Sequence, residues 1–179
     1  MSNRENRFHG DFVHVYLAFQ RVSKGGGDGS CVRSVDKGIG DELEILESRL
    51  KVMGGNWRIH KTVNPRCVKK ALKLLLHDLI DHPEHASHVD STWRTCLMKR
   101  SSIYGEKRFM LDVDTEDISY LEALDLELNE AKAEVLDKIK SPSGWHYITK
   151  PFDTRKVCQL SFITLLRDGY YYVKSVNES

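Results

Sequence analysis

The segment Phe109-Met110-Leu111-Asp112-Val113-Asp114 constrains the fold more than any other stretch of the chain. Its apolar residues run on without alternating with polar ones, which predicts a central strand covered on both faces and therefore a layered sheet. Two aspartates two apart on such a strand point to the same side, so both carboxylates can meet one hard cation while Val113 faces the core. Carboxylates this close repel one another. A Mg²⁺ or Mn²⁺ ion relieves that repulsion and leaves coordination positions for a substrate phosphate. The competing reading is that Asp114 with Thr115 caps the next helix and Asp112 pairs with an arginine.

Around this strand the punctuation of the sequence sets out the other elements. Asp11 to Val22 reads as a first strand, followed by a glycine-containing loop from Ser23 to Ser30. That loop is not a phosphate loop, because no Gly-Lys-Ser/Thr ending follows Gly25, Gly26 and Gly27. Asp41 to Met53 reads as an amphipathic helix stopped by Gly54-Gly55, and Trp57 to Val63 as a short strand. Asn64-Pro65 has the form of a helix entry, with Asn as cap, before the periodic Val68, Ala71, Leu72, Leu75, Leu76, Leu79 and Ile80. His82-Pro83 ends that helix, and another is expected over Val89 to Arg100.

Beyond the aspartates, Leu121, Leu124, Leu128, Ala131, Val135 and Ile139 fall on one stripe, which predicts a crossover helix over Ile118 to Ile139. The turn Ser141-Pro142-Ser143-Gly144 leads into a strand over Trp145 to Thr149. Leu160 to Leu166 and Tyr170 to Val173 read as a hairpin around Arg167-Asp168-Gly169. The whole pattern predicts an α/β or α+β chain with a central mixed sheet and flanking helices. At 179 residues a single domain is the default, with 1–106 as an N-terminal α/β part bearing a basic surface and 107–179 as the motif-bearing core.

A net charge of +1 hides an uneven distribution. Asp112 to Asp137 holds ten acidic residues and one Lys, a balance of −9, so the remainder carries +10. Basic residues gather at Arg58, Lys61, Arg66, Lys69, Lys70 and Lys73, and again at Arg94, Lys99, Arg100, Lys107 and Arg108. Cations beside a compact acidic point suit a metal-dependent protein acting on polyphosphate or nucleic acid, although solvated helix faces give the same tally. No apolar run reaches the roughly 18 to 20 residues of a membrane span, so a cytoplasmic protein without membrane contact is expected. The four cysteines are far apart and form no Cys-x-x-Cys pair, which argues for reduced thiols rather than a zinc ribbon or disulfide framework.

A second chemical signal is Ser141-Pro142-Ser143-Gly144-Trp145-His146. A small-residue turn entering a strand lets backbone N–H groups approach a phosphate, and His146 leaves the same turn. A hydrophobic strand ending in Asp-x-Asp, then a strand opening with a small residue, any residue and His, resembles the first two motifs of the archaeo-eukaryotic primase superfamily, which includes small primase-polymerases of viruses and phages. The resemblance covers Lys107 to Val173 and implies an RRM-like catalytic core. It further implies Asp112 and Asp114 as ligands of Mg²⁺ or Mn²⁺, and Ser143, Gly144 and His146 as the element meeting the phosphates of a nucleoside triphosphate. Asp168 is the best-placed counterpart of the family's third acidic residue, though Asp168-Gly169 is also an ordinary turn dipeptide. Arg58, Lys61 and Arg66 are further candidate phosphate contacts.

Two other classes compete with a nucleotidyltransferase acting on triphosphates and nucleic acid. One is a two-histidine phosphoesterase using His60-Lys61-Thr62 and His146-Tyr147-Ile148-Thr149, where His-x-x-Thr places the second hydroxyl on the wrong face of its strand. The other is a non-catalytic module binding nucleic acid or a partner protein through the basic surface. His82, His85 and His88 read as exposed histidines in a helix connection rather than metal ligands; Trp57, Trp93 and the run Tyr170-Tyr171-Tyr172 are of a type that stacks on bases, with Tyr171 assigned to the core.

Overall fold

A computed structural model of the chain describes residues 11–21, 29–36 and 41–177. The glycine run at Gly25 to Gly27 lies outside them. Where the sequence suggests one domain, the chain divides into two compact units. The first takes the described residues up to Lys61, Pro65–Tyr104 and the segment from Val173 on; the second takes Thr62–Asn64 and Gly105–Tyr172.

The first unit is built on β1 (Phe12–Arg21), β2 (Cys31–Asp36), α1 (Glu42–Met53), β3 (Asn56–Thr62), β4 (Arg66–Cys67), α2 (Val68–Asp81) and α3 (Val89–Met98). Its sheet has the order β2-β1-β3, with β4 beside β1 and the last strand of the chain next to β3. Alternation along β1 sends Tyr16 and Ala18 to one face, where they pack with Leu46 and Leu50 of α1, and Val13 and Val15 to the other, where they meet α2 and α3 through Val68, Ala71, Leu75, Cys96 and Leu97. Both faces of β1 are thus covered, which is why its sequence reads as an apolar run. Full burial of residues such as Leu50 and Ile59 contributes about 2 kcal/mol each.

The second unit contains β5 (Phe109–Val113), α4 (Ile118–Glu130), β6 (Val135–Ser141), β7 (Gly144–Thr149) and β8 (Ile163–Leu166), in the sheet order β6-β7-β5-β8. On one face Leu111, Val113 and Tyr147 pack with Leu124 and Leu128 of α4 and with Val157. On the other, Met110 and Ile148 join Val63, with Ile139, Leu166 and Tyr171 at the margin. Among the described residues the architecture is α+β with two antiparallel sheets and four α-helices, in place of the one mixed sheet expected.

Three local expectations are corrected. The helix expected to reach Ile139 stops at Glu130, and Val135–Ser141 is a strand that makes a hairpin with β7. The stop is a left-handed cap, with Lys132 at φ 51° and the Ala133 N–H donating back to Leu128 O at 2.9 Å. No glycine marks it, and residues four apart such as Val135 and Ile139 suit a helical stripe and a strand's period of two alike.

Asn64 does not cap α2, which begins at Val68. The side chain is buried and acts as a surrogate peptide: Oδ1 accepts from Arg108 N–H at 2.7 Å, and Nδ2 donates to Arg108 O at 3.1 Å and Asp168 Oδ1 at 3.2 Å. The terminal hairpin is absent too. β8 pairs with β5, whereas β9 (Tyr170–Val176) belongs to the first sheet, so the chain changes sheets across Arg167-Asp168-Gly169. Among the described residues no helix is long and apolar enough to cross a membrane. All four cysteines are free, with Cys67 and Cys96 buried and Cys31 and Cys158 exposed.

Candidate active site

β5 lies between β7 and β8, and its register places Asp112 directly opposite His146 on one side and Thr164 on the other. These three residues form a polar row across the face that also carries Met110 and Ile148, while Leu111 and Val113 turn to the α4 side. His146 Nε2 is 3.3 Å from Asp112 Oδ1, at the long end for a polar contact; the imidazole is almost fully buried and the carboxylate about a third exposed, at 32%.

The other ring nitrogen is fixed by the backbone. The Tyr172 N–H donates to His146 Nδ1 at 3.1 Å, so Nδ1 must carry a lone pair and the ring's one proton sits on Nε2, on the side of Asp112. Such a ring is oriented, with its Nε2 edge turned to Asp112. It has no second N–H to offer a phosphate.

Asp114 lies just past the end of β5 and is exposed; its backbone N–H donates to Phe162 O at 3.0 Å. It is not the helix cap. Asp117 holds that position, accepting from Ser119 N–H at 2.9 Å and from the Ser119 hydroxyl at 2.8 Å, which draws its carboxyl below the usual range. Asp112 faces His146 rather than an arginine. Other acids nearby are matched by lysines, with Asp125 to Lys138, Glu116 to Lys140, Glu130 to Lys156 and Glu134 to Lys150. Four of the ten acids between Asp112 and Asp137 are thus paired with lysines, and Asp112 and Asp114 stand outside those pairs.

Pro142 and Ser143 form an exposed two-residue turn between β6 and β7. Gly144 beside them is buried for a steric reason. A Cβ there would lie 1.9 Å from Val113 O and 2.8 Å from Thr115 N, so only glycine lets β7 approach the end of β5. The closeness demanded of this glycine is satisfied by the chain's own backbone.

Of the remaining candidates, Asp168 stands apart from the two aspartates within the same unit. Continuing the β5–β8 register sets Asp168 level with Arg108, four residues before Asp112, which at ~3.4 Å per residue is roughly 14 Å along the strand. It is held there by Asn64, so it does not join Asp112 and Asp114. Arg58, Lys61 and Arg66 belong to the first unit. Lys61 pairs with Asp36 at 2.9 Å and lies over the Tyr16 ring, while Arg66 is completely buried and cannot reach an external phosphate. His60 also belongs to the first unit, its ring edge-on to Phe19.

The donor set suits a hard divalent ion of the magnesium type, which is bound by one or two carboxylates and completes its shell with water and substrate phosphate. Among the described residues no group of three or more His, Cys, Asp or Glu side chains is arranged to hold a metal. Asp112 and Asp114 thus supply at most a two-carboxylate site. Thr164 escaped sequence reasoning because its place beside Asp112 depends wholly on the β5–β8 pairing. Set against family models, curated proteins and solved structures, the chain matches none.

Proposed function

We propose that the chain is a metal-dependent nucleotidyltransferase of the primase-polymerase type, or a nucleotide-binding relative of one, acting on nucleoside triphosphates with nucleic acid as partner. The supporting observation is the direct opposition of Asp112 and His146 on neighbouring strands, with Asp114 exposed at the tip of the same strand. In this reading Asp112 and Asp114 hold Mg²⁺ or Mn²⁺. A divalent ion bound there supplies Lewis-acid stabilisation to the phosphoryl group under attack by a 3′-hydroxyl.

The chain's own residues divide the remaining work. His146 is a positioning residue: with Nδ1 taken by the Tyr172 N–H, its Nε2 edge stands 3.3 Å from Asp112 Oδ1, backs that side of the carboxylate and leaves the second oxygen for the ion. This departs from the direct phosphate contact that the primase resemblance implies for the histidine. Thr164 offers an exposed hydroxyl beside Asp112.

The test is incubation of the purified protein with Mn²⁺, labelled nucleoside triphosphates and a primed template. Extension, or at least Mn²⁺-dependent nucleotide binding, is expected, and loss of it in both Asp112→Asn and Asp114→Asn. Nucleic-acid binding that needs no metal and survives both substitutions, with no nucleotide bound by the parent protein, would instead identify a non-catalytic module.

A further inference from the structure

The first unit has a cavity of about 420 Å³ lined by Cys31, Val32 and Arg33 of β2, Arg49 of α1, and Ser91 and Arg94 of α3. Three arginines from three elements widely separated in sequence line it. We infer that this cavity binds the phosphate groups of a small polyanion of the pyrophosphate or nucleoside polyphosphate class. The inference does not depend on the reading given to Asp112 and His146, which lie in the other unit.

The charge balance favours such a ligand. Elsewhere the cations are commonly matched: Lys61 with Asp36, Lys69 with Asp11, Lys51 and Lys174 with Glu47, Arg155 with Asp153. Among the described residues no carboxylate forms an ion pair with Arg33, Arg49 or Arg94. Like charges around one concavity repel, and the wall of the cavity focuses their combined positive potential on whatever enters. An anion with two or more charges reverses that repulsion.

The chemistry of the lining fits the same class of ligand. Guanidinium presents a planar fork of N–H donors that matches phosphate oxygens in pairs, and it stays charged at any pH the protein meets. Ser91 is not one of the donors, since its hydroxyl already donates to His88 O at 2.9 Å. The volume suits that class too, because it exceeds what a lone phosphate fills and falls within the roughly 300 to 1,000 Å³ of small-molecule sites. Val32 and the exposed Cys31 supply a less polar side for the remainder of such a ligand.

Pyrophosphate and ATP, each with EDTA so that no divalent ion contributes, are titrated into the full chain at moderate ionic strength by calorimetry. Binding of at least one is expected, weakened about a hundredfold in the double variant Arg49→Ala with Arg94→Ala and less in Arg49→Lys, since each lost charge-assisted contact carries about tenfold. The ligand should slow alkylation of Cys31, mapped by peptide mass spectrometry, and leave the exposed Cys158 of the other unit unaffected. Asp112→Asn should leave both readouts unchanged, which separates this site from the proposed metal site. Arg33 and Arg49 are exposed, and an unaltered melting temperature verifies that the variants fold. Failure of both ligands to bind, equal binding by the arginine variants, or binding of single-stranded oligonucleotide alone overturns the inference.

Discussion

Asp112 and His146 face each other across adjacent antiparallel strands, the imidazole steadied from behind by the backbone N–H of Tyr172 and the carboxylate open to solvent in front. Their opposition depends on a register. A slip of one residue between β5 and β7 would send Asp112 and His146 to opposite faces, so whatever fixes that register also fixes the site. The close approach of Gly144 to the backbone at Val113 and Thr115 does so, because it seats the start of β7 against the end of β5.

If His146 positions Asp112, its removal should weaken metal binding without touching a metal ligand. His146→Ala is expected to lower Mn²⁺ affinity about tenfold, in the range seen when an outer-shell partner of a ligand is lost. Electron paramagnetic resonance titration of free Mn²⁺ measures this directly, and ¹⁵N spectra of the parent protein should show the proton on Nε2. Equal Mn²⁺ affinity in the variant would leave His146 with a structural role only.

Gly144→Ala tests the register lock. The new Cβ would meet the Val113 carbonyl oxygen at 1.9 Å and two atoms of the Thr115 backbone, none of which can rotate away. A loss of about 3 kcal/mol or more is expected from urea unfolding. A variant as stable as the parent would mean that the two strands do not approach as described.

Much of this architecture is legible in the sequence wherever one physical signal dominates. The apolar runs of β1 and β5 announce strands buried on both faces, and Gly54-Gly55 and His82-Pro83 mark the ends of α1 and α2. β2 gives no such signal. Its two valines, Val32 and Val35, do not alternate, as befits a strand at the margin of its sheet. Asp168-Gly169 has the composition of a hairpin turn, yet Gly169 O accepts from the Val63 N–H and the strands on either side join different sheets. At the site, the period of two predicts Asp112 and Asp114 on one side of an extended segment, but the opposition of His146 and Thr164 to Asp112 requires pairings the sequence does not spell out. That Arg33, Arg49 and Arg94 line one cavity is less legible still, because nothing local connects the three positions.

The helix cap that sequence periodicity overlooked offers its own test. Lys132 is exposed and adopts φ 51°, a conformation that crowds its Cβ and that glycine reaches without strain. Lys132→Gly should therefore stabilise the protein by about 1 kcal/mol, whereas in the middle of a helix running to Ile139 it would destabilise by a similar amount. Chemical denaturation midpoints decide the sign, and with it whether the chain turns at this residue.

The ion pair of Glu47 on α1 with Lys174 on β9 makes stability depend on pH in a defined direction. Hydrogen bonds from Lys174 and then Lys51 hold the Glu47 carboxyl down to about 2, against an ordinary value of 4.5. The folded state thus binds this proton less readily than the unfolded chain, so the stabilisation is complete above about 4.5 and drains away as pH falls towards about 2. Glu47→Gln removes the titration. The stability difference between parent and variant should be largest near neutral pH, shrink steadily below about 4.5 and diminish with added salt, because the pair lies near the surface. Urea midpoints at pH 7, 5, 4 and 3 measure it, and a difference that grows on acidification would show that Lys174 does not hold this carboxylate.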